Sequence, residues 1–259
     1  MQFITKILFV FIFFLMCDSS NAQLVGKLTD EDKTALEAII VEKYALIDSK
    51  EIKDTVGGNI PKKSITYRIY VDLKPGYSIQ AVFGVPNHKL TISSTTSFFN
   101  NVIDGNATGD KIYSQNLNKS SVAYDSWLTI GAATESHQGV PLDEDIDGSI
   151  IKSSCFKKAD GIKIEKIKPI TFFGIDPIFF NSRNSGSSFT TDNGSWAIFG
   201  GMKGVTSSNK ILIAQLTTDG QLSYELNIQI GTPKGSTIQF VSKNPENNEL
   251  LFEGLRNTQ

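Results

Sequence analysis

Two stretches of strict two-residue alternation limit what this chain can become. In residues 65–84, ITYRIYVDLKPGYSIQAVFG, the set Ile65, Tyr67, Ile69, Val71 and Leu73 alternates with Thr66, Arg68, Tyr70 and Asp72. After Lys74, Pro75 and Gly76, a second set, Tyr77, Ile79, Ala81 and Phe83, alternates with Ser78, Gln80 and Val82. A period of two puts one set on a buried face and the other on an exposed or second-layer face of a sheet. Pro-Gly supplies the reversal, because Pro fixes φ and Gly tolerates φ > 0. The pair therefore reads as a hairpin. Residues 211–230 repeat the pattern around Thr217, Thr218, Asp219 and Gly220, with Leu222, Tyr224, Leu226, Ile228 and Ile230 set against Ser223, Glu225, Asn227 and Gln229. Asp-Gly is a strong short-range hairpin signal, so this second pair is the clearest hairpin in the sequence.

Shorter alternating segments fill out the chain, and no helix-length crossover separates them. That arrangement predicts an all-β fold, an antiparallel β-sandwich of jelly-roll-like or Ig-like kind. A short N-terminal helix is expected before it. Thr29 is a suitable N-cap, and Asp30, Glu31 and Asp32 complement the positive end of a helix. Leu36, Ile39 and Ile40 keep helical spacing, and the pattern turns to strand at residues 40–44. The expected organisation is a leader at 1–22, a lead-in of short helix, strand and loop at 23–64, the sandwich at 65–243 and a weakly ordered tail at 244–259. Residues 100–120, 136–154 and 181–194 read as polar surface loops, and residues 121–133 as a strand.

The leader rests on Lys6, an unbroken apolar run at residues 7–16, and small residues at Ser20 and Ala22. The run is short for a bilayer span, and the small residues suit signal-peptidase cleavage between Ala22 and Gln23. The expected location is extracellular or at the outer cell surface, with no transmembrane segment in the mature chain. Past that cleavage point one cysteine remains, Cys155, so no intramolecular disulfide can form and the thiol reads as a small buried hydrophobe. The net charge of −2 comes with no basic stripe, which excludes a nucleic-acid partner.

Several phrases occur together: TYRIYVDLKPGYSIQAVFGV at 66–85, HKLTISSTTSFFNN at 88–101, YDSWLTIGAA at 124–133, DEDIDGS at 143–149, and the run from Gly194 to Gly235 that contains ILIAQLTTDGQLSYELNIQIG. In these the chain resembles a group of secreted, mostly hypothetical proteins of Bacteroidota. The resemblance covers roughly residues 41–243. It implies export and carries no activity with it.

For chemistry, the best motif is Asp143, Asp145 and Asp147 at alternate positions, followed by Gly148 and Ser149. Oxygens at positions 1, 3, 5 and 7 with Gly at 6 can wrap a hard cation. An EF-hand would place Glu at position 12, where this chain has Ser154. Asp143, Asp145, Asp147 and Ser149 are thus candidate ligands of a weak Ca²⁺ site, set against a solvated acidic turn. Residues 104–110 show a similar spacing with poorer ligands and read as a turn. Asp125, Glu135 and the 143–147 cluster are candidate paired carboxylates of a glycosidase. The sequence holds no zinc-binding helix, nucleophile elbow or phosphate loop. His88 and His137 have no second ligand at metal spacing. No catalytic residue is assigned. Phe172, Phe173, Phe179, Phe180, Trp127 and Trp196 are candidates for a sugar-stacking platform, set against ordinary core packing. Glycosylation sequons begin at Asn106, Asn118 and Asn193 and predict exposed loops. The expected role is a non-catalytic structural, adhesive or ligand-binding one toward an extracellular glycan or protein. The alternative is a carbohydrate-active enzyme or carbohydrate-binding module.

Overall fold

The computed structural model describes residues 28–47, 52, 55–145, 161–176, 179–180 and 186–257. The leader at 1–22, Asp147, Ser149 and Cys155 lie outside these residues. No helix among them is long and apolar enough to cross a membrane.

A single helical turn, Asp30–Lys33, opens the described chain with the expected Thr29 cap. Asp32 N donates to Thr29 Oγ1 at 3.2 Å, and Thr29 N donates back to Asp32 Oδ2 at 2.8 Å. This closes a reciprocal box that satisfies two terminal donors. The helical spacing does not continue. The β-branched run Ile39, Ile40, Val41 favours strand, which begins at Leu36, ahead of the predicted change.

In chain order the strands are β1 (Leu36–Leu46), β2 (Ile65–Leu73), β3 (Ser78–Gly84), β4 (Leu90–Ser94), β5 (Trp127–Leu128), β6 (His137–Gln138), β7 (Ile162–Lys163) and β8 (Ile170–Phe173). There follow β9 (Ser188–Thr191), β10 (Gly194–Met202), β11 (Lys210–Thr218), β12 (Leu222–Glu225), β13 (Asn227–Gly231), β14 (Thr237–Val241), β15 (Glu249–Leu251) and β16 (Arg256–Asn257). A central sheet has the order β1-β2-β11-β5, a large sheet β15-β14-β13-β3-β10-β8, and a third sheet β16-β12-β4-β9. The fold is all-β and sandwich-like, built from antiparallel sheets. The pair β14 and β15 runs parallel.

Neither alternating pair is a hairpin. β2 bonds to β1 and β11, whereas β3 bonds to β10 and β13. Likewise β11 bonds to β2 and β5, and β12 to β4 and β16. The Pro75-Gly76 and Asp219-Gly220 turns therefore lift the chain from the central sheet to the sheet facing it. Gly76 sits at φ 94°, and Asn209 Nδ2 clamps the first turn by donating to the carbonyls of Lys74 (2.8 Å) and Tyr77 (3.1 Å). A single residue, Leu226, separates β12 from β13, so the strand changes sheets there.

The main core lies between the central sheet and the other two, with Ile69, Val71, Ile211 and Leu216 facing Ile79, Val82, Trp196, Ile228 and Phe240. A second core covers the far side of the central sheet, where Tyr70, Leu212 and Trp127 meet Phe99, Ile112, Leu117 and Val122. Residues 100–120 are thus a covering layer and not a surface loop, with Asn101, Ile112 and Leu117 at most 1 % exposed. Residues 121–133 contribute a helical turn, Ser120–Ala123, and only two strand residues. Part of the predicted 181–194 loop is strand β9. The chain beyond residue 244 continues to pair through β15 and β16, with Leu255 fully buried.

Candidate ligand-binding face

The outer face of the large sheet is open to solvent, and its middle row can be read strand by strand from the register. Thr171 pairs with Ala197, Ala197 with Ala81, Ala81 with Gln229, Gln229 with Gln239, and Gln239 with Glu249. Small residues sit at the centre of this row and amides on one side. The amides form a ladder: Gln239 Nε2 donates to Gln229 Oε1 (3.2 Å), and Gln229 Nε2 to Gln80 Oε1 (3.0 Å). Thr237 Oγ1 also donates to Gln80 Oε1 at 3.3 Å.

Two irregularities create this surface. On β3, Ile79 pairs with Ile230 and Ala81 with Gln229, leaving Gln80 as an extra residue. The bulge reverses the phase of the strand, so Val82 faces the main core where simple alternation assigns Ala81 and Phe83. On β10, Ala197 pairs with Ala81 and Met202 with Ile79, so four residues, 198–201, stand opposite Gln80. Gly200 (φ 73°) and Gly201 (φ 67°) make that excursion, in a region that side-chain-bearing residues avoid. Lys168 Nζ donates to the Gly201 carbonyl at 2.8 Å and ties it down. The product of the excursion is Phe199, held 96 % exposed in the middle of a strand. Phe173, on the neighbouring strand, is 58 % exposed.

Between the rings and the ladder lies a depression of about 270 Å³, with Ala81 and Ala197 in its lining. Every described residue lining it is uncharged. Such a surface offers aromatic faces for C–H groups and amide donors and acceptors for hydroxyls.

The residues singled out in the sequence lie elsewhere. Trp127 and Trp196 are core residues, 1 % and 0 % exposed, with Trp196 Nε1 donating to the Thr129 carbonyl at 3.0 Å. Phe180 is buried in a ring cluster with Phe98, Phe179 and Phe189, and Phe172 packs partly against the core. Only Phe173 of the predicted platform is substantially exposed. Phe199 is the ring that the sequence reading missed, and its signal was the Gly-Gly that follows it within a strand.

The carboxylates have structural partners. Asp125, fully buried, accepts from the backbone N–H groups of Asn101 (2.7 Å), Asn106 (3.0 Å) and Ser126 (3.0 Å). Burial pushes its carboxyl well above the usual range, and those three bonds work against the shift. Glu135 accepts from both the N–H and the hydroxyl of Ser114 at 2.8 Å. His137 Nδ1 meets Ser136 Oγ (2.9 Å) and Thr134 Oγ1 (3.1 Å). Both hydroxyls address the same ring nitrogen, and Ser136 Oγ also donates to Glu135 Oε1 at 3.5 Å. His88 is buried with Nε2 2.9 Å from Glu249 Oε2, a close approach without hydrogen-bond alignment.

In the acidic loop, Asp143 and Glu144 fall in a 3₁₀ turn, Leu142–Glu144, and Asp145 follows it. Glu144 accepts from Lys210 Nζ, Thr206 Oγ1 and Ser208 Oγ, the two hydroxyls at 2.6 Å. Burial works to raise its carboxyl, but these bonds outweigh it and hold the group below its ordinary value. No group of three metal-ligating side chains occurs among the described residues, and Asp147 and Ser149 lie outside them. At residues 104–110, Asp104 pairs with Lys119 at 2.8 Å and Asn106 Oδ1 accepts from Thr108 N, as in an ordinary turn.

No family model, curated protein or solved structure matches the chain.

Proposed function

We propose that this protein is an exported, non-catalytic recognition module that binds a neutral glycan on the outer face of its large sheet. The observation that carries the reading is Phe199, lifted into solvent by a two-glycine bulge beside a ladder of three glutamines. An exposed ring in mid-strand gains nothing from folding, since burial is what makes an aromatic side chain stabilising. A sugar supplies what this face lacks, an apolar C–H surface for the rings and hydroxyls for the amides. The uncharged character of the described lining residues suits a neutral ligand, and the shallow, open shape suits a chain that passes over the surface. Export is supported by the leader-like residues 1–22.

The test is affinity electrophoresis of residues 23–259 through gels containing neutral polysaccharides, with Phe199→Ala alongside. At least one polysaccharide is expected to retard the wild type, and Phe199→Ala is expected to lose about tenfold in affinity, the order of one stacking contact. Equal retardation of the two proteins, or none by any neutral polysaccharide, overturns the reading.

A further inference from the structure

A second cleft lies where the central sheet meets the third sheet. Its volume is about 340 Å³, and it is lined by Val41 and Lys43 of β1, Tyr67 of β2, Gln221 and Leu222 at the start of β12, and Asn257 of β16. The register explains the convergence. Lys43 stands directly opposite Tyr67, and Val41 lies two residues away on the same face of β1. The Asp219-Gly220 turn then lands Gln221 and Leu222 on the facing sheet, and β16 brings Asn257 in beside Tyr224.

The four polar side chains have kept their hydrogen-bonding capacity. Among the described residues no carboxylate lies within 4 Å of Lys43 Nζ, and none of those residues makes a hydrogen bond to the side chain of Lys43, Tyr67, Gln221 or Asn257. Partial burial raises the Tyr67 phenol, so it stays a neutral donor and acceptor at physiological pH. Val41 and Leu222 supply an apolar wall. Among the described residues the lining holds one cation and no acid. A ligand amine would find no countercharge there, whereas a carboxylate would find an ammonium with three donors.

We infer that this cleft binds a small hydroxylated carboxylate of about monosaccharide size, with Lys43 on the carboxylate and Tyr67, Gln221 and Asn257 on the hydroxyls. The volume is at the low end for small-molecule sites, which fits one sugar acid and not an extended chain. The inference is independent of the glycan reading of the large sheet, because the two sites share no residue.

Ligand-observed NMR on residues 23–259 tests it, with sodium glucuronate and sodium galacturonate as probes and glucose and galactose as uncharged counterparts. At least one uronate is expected to bind about tenfold or more tightly than its neutral counterpart, the order of a charge-assisted hydrogen bond. Lys43→Gln, an exposed change that leaves the fold intact, is expected to abolish that preference. Tyr67→Phe is expected to weaken the uronate severalfold, and Phe199→Ala to leave it unchanged. The inference is overturned if neither uronate binds, if acid and neutral sugars bind alike, or if the preference survives Lys43→Gln. It is also overturned if Phe199→Ala removes uronate binding, since that would place the ligand on the large sheet.

Discussion

The far side of the central sheet and the outer side of the large sheet both carry polar rows, and the two rows have opposite surroundings. On the central sheet Thr66, Arg68, Gln215 and Thr217 are at most 1 % exposed. The Arg68 guanidinium lies 3.8 Å from the centroid of the Tyr44 ring, and its Nε donates to Gln215 Oε1 at 2.9 Å. Gln215 Nε2 donates onward to the carbonyls of Ala123 (3.1 Å) and Asp125 (2.8 Å), in the layer that covers the sheet. On the large sheet the row of Thr171, Gln229 and Gln239 is linked partly to itself, and no covering layer lies over it among the described residues. The same kinds of side chain thus serve as internal fastening in one place and as unspent capacity in the other. The difference lies in whether another part of the chain supplies the partners.

The sharpest way to break the comparison is to remove one residue from the covered row. Arg68→Ala is expected to cost about 3 kcal/mol or more in chemical denaturation, because the buried Gln215 Oε1 loses its donor and the space against the Tyr44 ring is emptied. A loss under about 1 kcal/mol would mean that the covered network contributes little.

Asp125 gives the next effect. Its pKa is raised in the folded protein, so the native state keeps a proton that the unfolded chain releases near pH 4. The stability from this group is therefore complete below about pH 4 and is lost as pH rises through the native pKa. Relative to Asp125→Asn, the wild type should lose stability between pH 4 and pH 7, as measured by denaturation at each pH. A difference that grows with pH over that window would reverse the assignment.

On the open row the effects on stability shrink. Gly200→Ala should cost about 1 kcal/mol, since a side chain is forced to positive φ even though nothing lies within 4 Å of its Cβ. The same substitution should weaken glycan retention by displacing Phe199. Phe199→Ala itself should leave the melting transition within about 0.5 kcal/mol of wild type while binding falls.

The sequence carried the strands better than their partners. Alternation marked β2, β3, β11 and β12 because burial on one face imposes it regardless of which strands are bonded. Pro75-Gly76 and Asp219-Gly220 specify a reversal of direction, and a reversal serves equally well for a hairpin or for a step between facing sheets. The covering layer was hidden by its composition. Residues 100–120 are rich in Asn, Asp, Gly and Ser, yet Asn101 lies buried, with its Oδ1 accepting from the N–H groups of Ile103 and Asp104 at 2.9 Å. Polar residues that satisfy their own backbone look like solvent-exposed loop in one dimension. Phe199 was obscured because only the bulge, a property of the pairing between β10 and β3, turns it outward.

The partnership of β2 with β11 has a consequence for how the chain reaches this state. The ladder joins Ile65 to Thr218 and Asp72 to Lys210, so more than half the chain must be made before the centre of the molecule can close. Until β11 arrives, β2 has one edge unpaired, and β3 likewise waits for β10 and β13. Such distant pairing makes for slow folding and for early states with open strand edges. A chain released with only its first 145 residues would hold three of the four central strands without β11, which joins them. Assembly of the central sheet therefore begins from the nearly complete polypeptide and not from its leading end.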